Sequence, residues 1–394
     1  FPVAGASGQL LPYFVAIRNG DEQHHDIVRH GNEHVLGARF ADANFFVRED
    51  LKQSLESYRP KLSTLTFQTK LGSMLEKSER ILQLAGTLAH MLGLDEAQAA
   101  TVQRAAYLAK ADLVTQMVTE MTSLQGIMGR EYALRSGEPE AVARAIGEQY
   151  LPVPQSLAGV VVALADRIDS LVGLFAVGLA PTGAKDPFGL RRAAIGTVQP
   201  LIEHGLDFDL RAAVQAAAAL QPVAVNEEVK AQVLDFMAGR LSVLLKETYR
   251  YDVVDAVLAA QSNNPAGAAR AVRDLQAWVE RPNWHEILPG YARCVRILRS
   301  QPDEAGSWQV DASRLIEAEE QKLYEMLQTV EAHPATITAF LEAVVTLIPS
   351  INAFFDKVLV MAEDEQVRAN RLALVGQVAH LSNSLADLSK LEGF

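Results

Sequence analysis

His30 and His34 stand four residues apart, the spacing that sets two imidazoles on one helix face and could hold a zinc ion. Gly31-Asn32 lies between them, and Asn32 is a good cap for a helix over 33–49, which would leave His30 outside it. HExxH is absent, so solvated or locally bonded histidines are the simpler reading. His24-His25-Asp26 is a second cluster of ligand types, but adjacent residues meet one ion only with a special backbone shape. The single cysteine, Cys294, rules out an intrachain disulfide and a thiolate cage, and reads most simply as a small buried hydrophobe. A phosphate loop GxxxxGK[ST], a GxGxxG turn and a GxSxG elbow are all missing. A Ser-His-Asp triad is a spatial arrangement that abundance of those residues does not establish. The chain is therefore expected to carry no catalytic residue and no metal site.

Composition narrows the class. A length of 394 residues suggests two to four domains, and 49% hydrophobic residues suffice for sizeable cores. The net charge of -12 opposes non-specific capture of nucleic acid, so any RNA contact must come from local basic patches. No run approaches the roughly 18 apolar residues of a membrane span. The longest mild stretch, 157–165, stops at Asp166. Phe1-Pro2-Val3 carries no basic leader and no initiator Met, which is compatible with a start inside a longer polypeptide. A reducing cytoplasm suits the cysteine usage.

The elements that would position any site are helices. Residues 11–17 are aromatic and β-branched and end at Asn19-Gly20, which predicts a strand and a turn with no strand partner directly following. Phe67, Leu71, Met74, Ile81, Ala85, Leu88 and Leu92 form the apolar stripe of one long helix closed by Gly93. Asp95 to Gln98 is a capping box for a helix to about 118. Further helices are expected over 139–149, 157–177, 187–203, 209–220, 227–249, 253–260, 265–279, 284–299, 312–330, 334–347, 349–361, 364–380 and 382–391. Asp186-Pro187 and Asn264-Pro265 are cap-then-proline starts, and Pro349 should break the chain between two of the last helices. Joints are expected at 179–184, at Gln221-Pro222 and over 301–307. The fold class is mainly α, with a β-containing lead-in.

The stretch from about 67 to 177 resembles the HD phosphohydrolase layout, in which two histidines and two aspartates on successive helices hold metal. The corresponding segments are 77–81 (KSERI), 105–110 (AAYLAK) and 163–169 (ALADRID). On that alignment Lys77, Ala109 and Lys110 occupy ligand positions and only Asp166 could bind a cation. An ammonium offers donors only. The resemblance implies a degenerate HD-like shell without metal or hydrolysis, with Asp166 paired to a nearby base or capping a turn.

A second resemblance covers nearly the whole chain, from about residue 10 to 390. GNEHVL at 31–36 leads into RFADANFF at 39–46, and LTFQTKLG stands at 65–72. KADLVTQMV at 110–118 precedes QGIMGREYA at 125–133, and PTGAKDPFGLRRAA occupies 181–194. INAFFDKVLVM at 351–361 is followed by Glu363-Asp364 and Arg368-Ala369-Asn370-Arg371-Leu372. These are similar, in order, to motifs of the beta subunit of bacterial two-subunit glycine–tRNA ligase. Two departures stand out: the family's N-terminal region is missing, and 150–155 (YLPVPQ) is shorter than the family's segment there.

The resemblance implies a tRNA-handling subunit that positions tRNA-Gly for ATP-dependent glycylation by a separate alpha subunit, within an alpha2beta2 assembly. ATP and Mg would bind that partner, leaving no cofactor on this chain. Domains are then expected at 1–60 (end of a β-containing region), 61–205 (HD-like), 206–310 (helical linker) and 311–394 (anticodon-binding-like bundle). Residues 315–394 hold 12 acidic against five basic residues, so the bundle would read bases by stacking and edge contacts rather than by bulk charge. Anticodon-side candidates are Lys357, Arg368, Asn370 and Arg371. Solvated charges remain open for the first two, and packing or pairing with Asp356 or Asp364 for the others; Phe354 and Phe355 read as core. Acceptor-side candidates are Lys185, Arg191 and Arg192 at a helix start capped by Asp186, which could grip phosphate or form a salt-bridge hub. Gly126, Gly129 and Arg130 complete the set; the glycines would admit an RNA backbone, or simply end a helix. Two competing classes are an HD-type phosphohydrolase and a helical scaffold without RNA.

Overall fold

The structure, a computed structural model, describes residues 1–299, 301 and 309–394. The joint expected at 301–307 lies outside the described residues apart from Gln301. Two compact units result, Phe1–Gln53 and Ser54–Phe394.

In the first unit β1 (Pro2–Ala4) pairs antiparallel with β2 (Leu10–Phe14), through a turn in which Gly8 takes φ +79°. The strand partner thus precedes the predicted strand. A single helix, α1 (His25–Asp50), completes the unit. It starts seven residues before Asn32, which lies inside it, so Asn32 is no cap. His24 turns the chain in the left-handed region instead. His30 and His34 do share this helix, both exposed, with His30 Nδ1 3.8 Å from Glu33. Among the described residues no group of three His, Cys, Asp or Glu could hold a metal.

The second unit is helical. Its lead-in is a 3-10 segment, Leu55–Thr64, and a two-stranded ribbon of β3 (Thr66–Gln68) and β4 (Gly72–Ser73). Phe67 and Leu71 therefore sit before the helix they were expected to join. The helix α2 (Met74–Met91) begins at a reciprocal capping box between Ser73 and Glu76. Gly93, at φ +66°, ends it as expected. α3 (Glu96–Leu108) stops ten residues early. Thr115 there bonds the carbonyl of Asp112 and caps α4 (Gln116–Glu120), a local competition that breaks the helix. α5 (Ile127–Arg135) and α6 (Glu140–Glu148) follow.

At the centre lies α7 (Leu157–Ala176), with 14 of its 20 residues buried. A helix apolar all round must be covered all round, and α7 is packed by α2, α3, α6, α8 (Leu190–Glu203), α9 (Leu210–Leu220) and α10 (Glu227–Lys246). Because α9 packs on both α2 and α7, the chain does not part at 205 into two bodies. α11 (Tyr251–Gln261), α12 (Pro265–Val279) and α13 (Trp284–Arg299) lead to the C-terminal helices. α13 buries Cys294, whose thiol is pushed up to about 12 by desolvation.

α14 (Ala318–Leu327) starts late, because Asp311 first folds a short 3-10 turn over Ala312–Arg314. α15 (Ile337–Lys357) runs unbroken through Pro349, against expectation. Phe340, Leu341, Val344 and Leu347 before the proline, and Ile351 and Phe354 after it, are all buried. Packing on both sides outweighs one lost hydrogen bond. By length and composition this helix could cross a membrane, at mean hydropathy 1.6, which the expectation of no such segment missed. It packs here on α13 and α14 as a core helix. α16 (Glu365–Ala379) is followed by 3-10 turns, not by the helix expected over 382–391.

Candidate functional site

Two aspartates three residues apart, Asp166 and Asp169, project from α7, whose other residues are apolar apart from Arg167 and Ser170. A buried carboxylate there must be paired. Lys77, from α2, places Nζ 3.0 Å from Asp166 Oδ1 and 2.9 Å from Asp169 Oδ2, and donates to Ser170 Oγ at 2.8 Å. Lys110 places Nζ 2.7 Å from Asp166 Oδ2 and 3.1 Å from the Tyr150 hydroxyl. Arg80, one turn after Lys77, donates to Asp169 Oδ1 at 2.7 Å, and Gln221 to the same oxygen at 2.9 Å. Desolvation would raise both carboxyls. The Lys110 and Lys77 ammoniums outweigh it at Asp166, and Lys77 with Arg80 at Asp169, so both stay below the usual carboxylate range. The result is a closed lattice of opposite charges. Both carboxylate oxygens of Asp166 face ammonium groups, which repel a metal ion, so the donor set does not fit one.

Beside this lattice, Asp112 accepts from the amides of Gly126 and Gly129 at 2.6 and 3.1 Å, while its Oδ1 has no partner. Burial raises this carboxyl despite those bonds and the nearby Lys110. Gly126 sits at φ +79°, and a Cβ on it would stand 2.5 Å from the Tyr150 ring. A Cβ on Gly129 would meet Asp112 Oδ2 and Ile146 at 2.9 Å. Both glycines are buried, and the close approach they permit is made by this chain's own side chains. Arg130, next to Gly129, is exposed.

The basic cluster belongs to a tight loop before α8. Thr182 and Lys185 exchange backbone bonds, Arg191 donates to the Gly183 carbonyl, and Asp186 accepts from the amides of Leu190 and Arg191 at 2.8 and 2.9 Å. Asp186 is not the N-cap expected before Pro187: the helix begins at Leu190 with Gly189 as its N-cap, and Asp186 reaches the first amides from three residues further back. Lys185 and Arg192 are exposed, with no ion-pair partner among the described residues. Phe188, on the same loop, is 43% exposed.

The C-terminal candidates divide. Lys357 is exposed and pairs with Glu319 at 2.5 Å. Arg368 donates to the Ala362 carbonyl and lies 3.7 Å from Glu365. Asn370 and Arg371 are buried. Asn370 exchanges bonds of 2.7 and 3.1 Å with the backbone of Asp311. Arg371 bonds Glu320 and the Leu359 carbonyl. Neither side chain is available to a base, and the partner of Arg371 is Glu320 rather than Asp356 or Asp364. Phe354 is core, whereas Phe355 is half-buried beneath the Arg293 guanidinium.

A sequence profile described as glycyl-tRNA synthetase beta subunit matches residues 1–259 of the 394. The chain belongs to that family. In this beta-subunit chain a second profile, the DALR anticodon binding domain, matches residues 287–388, which contain α14 to α16. The glycine–tRNA ligase beta subunit of Desulforudis audaxviator is 43% identical over 99% of the chain and 58% of its own length. That of Moorella thermoacetica is 41% identical over 99% and 59%. The chloroplastic/mitochondrial glycine–tRNA ligase 2 of Arabidopsis thaliana is 39% identical over 100% of the chain and 38% of its own length. The chain thus spans a little under three-fifths of the bacterial relatives it matches.

Sequence reasoning named Lys77, Lys110 and Asp166 but missed Arg80, Asp169, Tyr150 and Gln221 as their partners. The signal was present. Two aspartates on a largely apolar helix demand buried cations, and Lys77 and Arg80 share a face of α2 at the right spacing.

Proposed function

We propose that this chain is the tRNA-handling part of a glycine–tRNA ligase, placing the acceptor end and anticodon of tRNA-Gly for ATP-dependent glycylation on a separate alpha subunit. The observation that carries the reading is the succession, along one chain, of the beta-subunit profile and an anticodon-binding profile. The chemistry agrees: the buried aspartates of α7 are neutralised by the chain's own ammonium and guanidinium groups, which repel a metal ion. ATP and Mg would bind the alpha subunit, and the assembly would be alpha2beta2 in the cytoplasm. The HD-type phosphohydrolase reading needs a cation where Lys77 and Lys110 stand, so we take the HD-like layout as a scaffold. A scaffold without RNA does not account for the anticodon-binding profile.

The exposed loop carrying Lys185, Phe188, Arg191 and Arg192 is the acceptor-side surface this reading favours. The test is a glycylation assay with the alpha subunit, with and without the complete beta subunit, beside titration of tRNA-Gly and other tRNAs over a salt series. Charging should need the beta subunit, and tRNA-Gly should bind best. Full-rate charging by the alpha subunit alone would refute the proposal.

A further inference from the structure

The residues after α16 do not end the bundle; they return to the body and fasten to α11. The Asp387 amide donates to the Ala256 carbonyl at 2.8 Å, and Gln261 Nε2 to the Leu385 carbonyl at 2.7 Å. The Glu392 amide donates to Asp252 Oδ2 at 3.0 Å. Asp252 is buried, and Arg250 grips it through two bonds of 3.0 and 2.8 Å. The same guanidinium reaches Glu392 Oε2 at 3.2 Å, and the Tyr251 hydroxyl donates to Glu392 Oε1. At the far end Phe394 lies under Arg296 and Arg299 of α13, with centroid distances of 5.5 and 5.3 Å. The segment roofs a cleft of about 310 Å³ between Ala260 on α11 and Tyr291 on α13.

We infer that residues 383–394 are a positioning strap that holds the anticodon-binding helices at a fixed angle to the body, with Asp252 and Glu392 as its positioning residues. The strap joins the part matched by the beta-subunit profile, which contains Arg250 to Ala256, to the part matched by the anticodon-binding profile. A tRNA that touches both parts makes the second contact intramolecularly, and gains more affinity when their separation is preset because less ordering entropy is lost. The strap's bonds are discrete and partly charged, so they set an orientation in a way that a continuous apolar seam would not. None of these residues need touch RNA.

The inference rests on the tRNA-handling reading above, and its test separates the two. In the complete alpha–beta enzyme, Asp252→Asn and Glu392→Gln are compared with wild type on intact tRNA-Gly and on an acceptor-stem minihelix without the anticodon arm. The ratio of kcat/KM for intact tRNA to that for the minihelix should fall about tenfold in D252N, equivalent to 1.4 kcal/mol. In E392Q, which perturbs only the exposed end and covers the case of a poorly folded D252N, it should fall about twofold. Minihelix charging should be unchanged in both. Equal losses on the two substrates, or an unchanged ratio in both variants, overturns the strap. Wild-type enzyme that charges neither substrate overturns the functional reading instead.

Discussion

The same substitution at two buried aspartates should have consequences of very different size. Asp169 accepts from Lys77, Arg80 and Gln221 within 2.9 Å, and its side chain is 1% exposed. Asp169→Asn removes the charge that neutralises Arg80 and half of what neutralises Lys77. Deleting one member of a buried ion pair costs about 3–5 kcal/mol, because the other is left uncompensated. At about 2 °C per kcal/mol for a body of this size, the midpoint should fall by about 6–10 °C. Asp112 offers a contrast: it takes two backbone amides, one oxygen has no partner, and burial already disfavours its charge. Asp112→Asn keeps the amide acceptor and should cost under about 1 kcal/mol, or stabilise slightly. Acid distinguishes them further. Asp169 and Asp166 have lowered folded pKa values, so their contribution is present above the ordinary carboxylate value near 3.9 and is lost as pH falls through the folded value. The gap between wild type and D169N should therefore narrow below about pH 4. Asp112 is raised, so its penalty is present at neutral pH and relieved as pH falls; D112N should show its best relative stability near pH 7. Calorimetry at pH 7, 5 and 3.5 gives all three comparisons. A D169N midpoint within about 1 °C of wild type at pH 7, or a D112N drop as large as that of D169N, would refute the reasoning.

Gly126→Ala should lower stability by about 2–4 kcal/mol, from a strained positive φ and a 2.5 Å clash with Tyr150, measured as a shift of the urea midpoint. Arg371→Ala should strand the buried Glu320 and destabilise the protein by about 3 kcal/mol while leaving anticodon preference intact. A binding series with anticodon variants of tRNA-Gly checks the second half. Arg192→Ala should leave the melting temperature unchanged and reduce the slope of log K against log salt by about one, for all tRNAs alike.

The helices were legible because their periodicity and caps are local. The expected spans 265–279 and 284–299 coincide with α12 and α13, and Asp95 and Asn264 bond the amides they were expected to cap. Errors fell where a distant contact decides. Pro349 was read by its local rule, yet α15 is held straight through it by the packing of Phe340, Leu347, Ile351 and Phe354. Residues 382–391 have helical composition, but the Asp387 amide goes to Ala256, 131 residues earlier, which unwinds them. The site was legible in its composition and not in its pairing. Asn370 and Arg371 stand in a polar motif, and only the fold reveals that Asp311 and Glu320 use them. Glycines at 126 and 129 signal close approach without saying of what.

The distribution of used and unused cations bears on how an acidic chain could hold RNA. In the anticodon-binding part, Lys357, Arg368 and Arg371 face Glu319, Glu365 and Glu320. Each must give up a partner before it can meet a phosphate, which makes that part a poor electrostatic trap. In the central lattice, Lys77, Arg80 and Lys110 are buried and paired. The loop before α8 differs: Asp186 spends its carboxylate on backbone amides, so Lys185 and Arg192 stay exposed and unpaired among the described residues. That short, internally braced loop offers such cations with a partly exposed phenyl ring between them, and Arg39, Arg48, Lys70 and Arg130 are likewise exposed without an ion pair among the described residues. Such a surface engages few phosphates, which implies a shallow salt dependence and affinity that depends on shape and placement more than on charge. On that account the net charge of -12 would suit the proposed function, repelling RNA except where the fold leaves a cation unanswered.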